Sequence, residues 1–170
     1  MPNEKAKTHL ATPWVNVLSK PFEGSNEPYY YLDLPDYVSI LAVTKDNMVL
    51  TVQQHRVPVN SITKELPSGL LEKDESPEDC ATRECREETG YAPSNLILLH
   101  QGFIDPGRLN NKFHCFFSND LKWDPLPRPE INLTCHLVSF ENYQNSLLNE
   151  STNSALNTMT WLLAKEKKLI

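Results

Sequence analysis

The chain has 170 residues, 39% of them hydrophobic and 22% charged, and a formal net charge of −6. That length suits one well-buried domain, and the chain has no apolar run near the roughly 20 residues a membrane helix needs. The acidic balance argues against a sequence-independent grip on nucleic acid, and Met1 to Leu10 lack the apolar core of a secretory leader. Cys80, Cys85, Cys115 and Cys135 make neither a CxxC pair nor a dense disulfide pattern. Free thiols in a reducing cytoplasm are therefore expected.

In chain order, Trp14–Ser19 and Tyr29–Leu34 read as strands rich in aromatic and β-branched residues, separated by turn signals at Pro21, Gly24 and Pro28. Tyr37–Thr44 and Met48–His55 flank Lys45-Asp46-Asn47, which reads as a hairpin connection. A helix then opens at Ser76, with Ser76 as N-cap, Pro77 at the first position and Asp79 as the acid of a capping box. Gly90 stands where that helix needs a left-handed residue to stop. Leu96–Ile104, Lys112–Phe117 and Leu133–Phe140 read as further strands. Leu156, Met159, Leu162 and Leu163 give the tail, Ser154 to Lys168, a helical period. Strands and helices interleave along the whole chain, so an α/β fold with a mixed sheet covered by helices is expected. Pro125, Pro127 and Pro129 stiffen one loop, Trp123 to Glu130.

The segment from Gly69 to Tyr91 carries the chemistry. Glu84, Glu87 and Glu88 fall at i, i+3 and i+4 and so share one face of the helix. Like charges this close destabilise a helix unless something positive intervenes, and Arg83 and Arg86 flank the face on either side. Clustered carboxylates are the oxygen donors that a hard divalent cation takes. A solvated face laced with salt bridges is the competing reading of the same pattern. Cys80, Ala81 and Cys85 make the opposite face small and apolar, fit to pack on a sheet.

Gly69, Glu75, Arg83-Glu84, Glu87-Glu88 and Gly90 fall at the spacing of the Nudix hydrolase signature, which this stretch resembles at every fixed position. Cys85 stands where that family usually has Leu, Ile or Val, and a buried cysteine acts as a small hydrophobe. Outside this stretch, Gln54-His55-Arg56-Val57-Pro58, Lys64-Glu65-Leu66-Pro67-Ser68-Gly69 and Phe103-Ile104-Asp105-Pro106-Gly107 resemble the ADP-ribose and nucleoside-diphosphate-sugar pyrophosphatases. The resemblance covers roughly Trp14 to Lys165 and is firmest from Gln53 to Phe117.

That resemblance implies an α/β/α sandwich around a mixed sheet, preceded by antiparallel strands. Residues 1–36 would serve dimerisation and base binding, and 37–170 would form the hydrolase domain. It implies a Mg²⁺-dependent enzyme, with Mn²⁺ as the alternative ion, splitting a nucleotide sugar into a nucleoside monophosphate and a sugar phosphate. It further implies a homodimer; the expectation of a cytoplasmic protein with no membrane or nucleic-acid partner rests on the composition above. Metal would be held by Glu84 and Glu88, with Glu87 and the carbonyl of Ser68. Arg83 is either a catalytic participant or, the favoured reading, an orienting ion-pair partner of Glu75. Arg56 would hold a terminal phosphate or the sugar side of the substrate, since a guanidinium pairs well with phosphate oxygens, or is a surface arginine at a strand end. Glu65 either extends the metal shell or is a plain edge-strand carboxylate. Pro106 marks the ADP-ribose-type turn. Trp14 and Tyr30, with the neighbouring tyrosines, either stack on the nucleobase across a subunit interface or simply pack. Glu130 is either the base for the attacking water, with Glu87 the next candidate, or a solvated loop carboxylate. Arg108-Leu-Asn-Asn-Lys112 lacks the acid that related enzymes often carry there, which leaves the sugar undetermined. A triphosphate-cleaning enzyme and a non-catalytic ligand sensor are the alternative functions.

Overall fold

The computed structural model describes residues 6–126, 132–149 and 154–170. Strands β1 (Lys7–Ala11), β2 (Asn16–Lys20) and β3 (Tyr29–Asp33) form an antiparallel meander. There follow β4 (Tyr37–Ala42), β5 (Met48–Arg56), a 3-10 turn (Val57–Val59), β6 (Ser61–Glu65) and β7 (Ser68–Leu70). Helix α1 (Pro77–Thr89) leads to β8 (Tyr91–Pro93), β9 (Ile97–Phe103), β10 (Lys112–Ser118) and β11 (Leu121–Trp123). The chain closes with β12 (Leu133–Ser139), α2 (Phe140–Asn149) and α3 (Ala155–Glu166).

Two sheets form the body. One runs β7-β4-β10-β9, with β4 and β10 parallel and the other neighbours antiparallel, which makes it mixed. The other is antiparallel, β12-β5-β6. They meet at the Thr44–Met48 turn, where Thr44 N–H donates to the Met48 carbonyl and Asn47 takes a φ of 58°. The connection expected at Lys45-Asp46-Asn47 therefore exists, but the pairing beyond it is a single bridge, Val43 to Val49. After that bridge β4 and β5 part into separate sheets.

Alternation along β4 explains the layers. Val38, Ile40 and Ala42 point to Cys80, Ala81 and Cys85 of α1, and Leu41 and Val43 point to the opposite side, with Trp161 and Ala164 of α3. A strand covered on both faces is apolar throughout, and β4 is buried from Val38 to Ala42. The outcome is the α/β/α arrangement. At the start of α1, Ser76 Oγ accepts from the Asp79 N–H at 3.1 Å, and its hydroxyl donates to the Asp79 carboxylate at 2.7 Å. Such a cap contributes about 1 kcal/mol. Gly90 ends the helix at φ 77°; a Cβ there would lie 2.7 Å from the Trp123 ring.

Several elements differ from expectation. β1 lies in a stretch whose composition signals no strand, and all five of its residues are exposed. It is held by its ladder to β2 and by His9 Nε2 against Ser19 Oγ at 2.7 Å. β8 and β11, of three residues each, have no signal in the composition, whereas β6 is the edge strand foreseen around Glu65. Phe140, read as the end of a strand, opens α2, whose Tyr143 is buried and whose Leu147 packs on the same core. No described helix is long and apolar enough to cross a membrane.

Candidate active site

A cleft of about 1080 Å³ opens between β7, the face of α1 and the end of β5. Its floor is the turn from Ser68 to Lys73. Glu84, Glu87 and Glu88 line one wall, Arg56 and Gln54 another, and Pro13, Trp14, Pro35 and Leu126 the apolar end.

The helix wall is organised by Arg83. Its Nε and Nη2 donate to the two Glu75 oxygens at 2.8 and 2.9 Å, so the expected ion pair is formed side-on. Nη1 reaches Glu84 at 2.7 Å and Glu87 at 3.1 Å, and Nη2 also donates to the Leu70 carbonyl at 3.2 Å. One guanidinium thus pairs with two of the three carboxylates on this face, Glu84 and Glu87. Arg86 instead pairs with Asp124 at 3.0 Å. The Arg83 hydrogen bonds hold the Glu75 carboxyl well down, to about 2, against the smaller cost of burial. Glu75 in return raises the Arg83 guanidinium further above its usual range.

Glu88 is 7% exposed, and one of its oxygens accepts from the Ser68 N–H at 2.8 Å. Glu84 lies over Gly69, where any Cβ would collide with its carboxylate. A side chain here would have to displace the Glu84 carboxylate from its Arg83 contact. Beneath the helix, burial pushes the Cys85 thiol up to about 12, as suits an inert packing residue.

Among the described residues no three His, Cys, Asp or Glu side chains are gathered tightly enough to hold a metal ion as they stand. The donor chemistry nonetheless fits one. Three carboxylates on one helix face, the space kept clear by Gly69 and the adjoining Ser68 peptide form an all-oxygen set of the kind that hard divalent cations take. Arg83 holds the positive position between Glu84 and Glu87.

At the strand end, Arg56 donates from Nε to Glu65 Oε1 at 2.8 Å and from Nη2 to Oε2 at 2.6 Å. Glu65 therefore faces an arginine. Tyr37 lies in the same corner, its phenol raised to about 12, chiefly by burial.

Of the other residues expected here, Trp14 lines the cleft of its own chain and is 70% exposed. Tyr30 and Pro106 fall outside the cleft lining. Tyr30 is half-exposed and packs on His9. The turn that holds Pro106 docks on β3: Tyr29 Oη donates to the Gly107 carbonyl, and Leu32 N–H donates to the Arg108 carbonyl at 2.8 Å. Glu130 lies outside the described residues. Sequence reading missed Gln54, Tyr37 and Leu126 as part of the cleft. Tyr37 and Gln54 stand on strands that were foreseen, but no spacing rule marked which of their faces would line a cavity.

A family model described as the NUDIX domain matches residues 33–161. This chain belongs to the Nudix family. Its relatives include the ADP-ribose pyrophosphatase of Bacillus subtilis, 38% identical over 87 residues, covering 51% of this chain and 47% of that one. The ADP-sugar pyrophosphatase of Mus musculus is 37% identical over 83 residues, covering 46% and 38%. The matches thus span less than half the length of either relative. A crystal structure of an ADP compounds hydrolase superposes on this Nudix chain with a TM-score of 0.73 at 20% identity, covering 95% of this chain and 90% of the other. The fold is therefore shared across nearly the whole chain.

Proposed function

We propose that the protein is a divalent-cation-dependent pyrophosphatase acting on a nucleoside diphosphate joined to a sugar, ADP-ribose or a close analogue. The observation that carries this reading is the make-up of one cleft, with a carboxylate wall, a guanidinium facing it and an exposed indole at the apolar end. The names of the relatives support the same substrate class.

In this reading the indole of Trp14 takes the base by stacking, which tolerates more than one base. Arg56 holds phosphate oxygens. Glu84, Glu88 and Glu87, with the Ser68 carbonyl, would hold Mg²⁺ or Mn²⁺. When bound, such an ion supplies charge neutralisation on the diphosphate and a lowered pKa for a bound water. Arg83 keeps Glu84 and Glu87 in place rather than touching substrate. Water adds to one phosphorus and the bond from that phosphorus to the bridging oxygen breaks, leaving a nucleoside monophosphate and a sugar phosphate. We assign the proton of that water to Glu130, because metal-bound carboxylates are poor bases; Glu130→Gln should lower kcat by about 10²-fold. A fall of less than about tenfold would move the role to Glu87.

Incubation with nucleotide sugars and nucleoside triphosphates, in Mg²⁺ or Mn²⁺, with products separated by chromatography, tests the reading. Monophosphate and sugar phosphate are the expected products. Release of pyrophosphate from triphosphates, with nucleotide sugars untouched, would overturn it.

A further inference from the structure

Arg56 and Glu65 end two adjacent strands; Arg56 lies opposite Ser61 and Glu65 opposite Val52, so their ion pair reaches along the hairpin past Thr63. Gln54 lies opposite Thr63, so Arg56, Thr63 and Glu65 share one face of the β5–β6 pair. On that face Thr63 Oγ1 donates to Glu65 Oε1 at 2.5 Å, the same oxygen that accepts from Arg56 Nε. The Glu65 side chain is 9% exposed and that of Arg56 is 39% exposed. Burial pushes the Glu65 pKa up, but the Arg56 and Thr63 hydrogen bonds outweigh it and leave the group below its usual range. Glu65 is therefore a buried, charged, fully engaged carboxylate.

A guanidinium carries five N–H donors in a planar fork. Pairing through Nε and Nη2 uses one side of that fork and leaves the Nη1–Nη2 edge facing away from Glu65. A free edge of this shape matches two phosphate oxygens. An isolated arginine on a strand end would sample many rotamers; this one has its plane fixed from behind.

Resting on the pyrophosphatase reading, we propose that Glu65 is a positioning residue. Clamped by Thr63, it sets the plane of Arg56 so that the open edge meets the substrate diphosphate. It acts through Arg56 and not on a metal ion or the attacking water.

A double-mutant cycle tests this, with Arg56→Ala, Glu65→Gln and both together, assayed on ADP-ribose. Glu65→Gln should lower kcat/KM by about tenfold, mainly through KM, as loss of a charged hydrogen-bond partner does. In the Arg56→Ala background the same change should cost less than about twofold, because its target is already gone. Thr63→Val should move KM in the same direction by less. Arg56→Lys should fail to rescue, since an ammonium has no fork to orient. The divalent-ion concentration for half-maximal rate and the pH profile should stay unchanged in Glu65→Gln. An equal loss in both backgrounds, or a shifted metal requirement, would overturn the proposal. The cycle is repeated by calorimetry, with ADP-ribose binding in chelator. Wild-type protein that binds ADP-ribose without cleaving it refutes the activity, while the affinity cycle still decides the role of Glu65. Wild-type protein that does not bind ADP-ribose overturns both.

Discussion

At the helix end of the cleft, Arg83 has every N–H group engaged by its own chain: two to Glu75, one each to Glu84 and Glu87, and one to the Leu70 carbonyl. At the strand end, Arg56 gives two, both to Glu65. Both arginines line the same cavity. What separates a scaffold arginine from one fit to meet a ligand is how much of its fork is already occupied. Proximity to the carboxylate cluster misleads, because the arginine nearest that cluster has least left to offer.

The sharpest way to break the contrast is at the carboxylates. Glu84→Gln and Glu88→Gln should each lower kcat by on the order of 10²-fold or more, because removing even outer-shell partners of a metal costs about 10–100-fold. Steady-state assays at saturating Mg²⁺ check this, and near-normal turnover in both would return the helix face to a purely structural role. Arg83 should remain in place in both, losing one carboxylate partner in Glu84→Gln and none in Glu88→Gln.

A divalent ion should also stabilise the helix end alone. Binding at a free concentration 100 times the dissociation constant contributes roughly 2.7 kcal/mol. Melting scans in chelator and in millimolar Mg²⁺ should show a raised midpoint, equal in wild type and in Arg56→Ala. A midpoint that Mg²⁺ leaves unmoved would count against the metal site, and a rise lost in Arg56→Ala would tie the two ends together.

The smallest effect is one of pH. Arg83 depresses Glu75 from its usual 4.5 to about 2. A depressed carboxyl stabilises the fold above the unfolded pKa, and that contribution is lost as pH falls from about 4.5 through about 2. Glu75→Gln should flatten this acid limb of the melting curve, and an unchanged limb would show that the pair contributes nothing to stability.

The helix end was far more legible in the sequence than the strand end. Ser76, Pro77, Asp79 and Gly90 are local signals, read within one helix, and the structure uses each where the spacing puts it. The Arg83–Glu75 pair, eight residues apart, joins the helix to the turn just before it; the Arg56–Glu65 pair is only one residue wider, so separation in sequence is not what hid it. The Arg56–Glu65 pair depends on a hairpin register set by the Val57–Val59 turn and by Asn60 in a left-handed conformation, which composition does not announce. Strands such as β7 and β8 are too short to carry a period and exist because a neighbour pairs with them. Pro106 was read by analogy of position, and the docking of its loop onto β3 depends on tertiary contacts.

The parallel register of β4 with β10 joins Tyr37 to Phe113, and the β5–β12 ladder joins Gln54 to Leu133. Both strands that flank the cleft are therefore completed by segments far along the chain. On the ribosome α1 emerges before β10 or β12 is available, so β4 can gain cover from α1 on one face while its β10 edge and its α3 face stay open. Contacts this distant in sequence slow folding and lengthen exposure of aggregation-prone strands. The cleft is thus encoded in the middle of the chain and completed late, so premature chain termination between β8 and β10 would yield a chain that carries the whole signature and lacks the strand that completes β4.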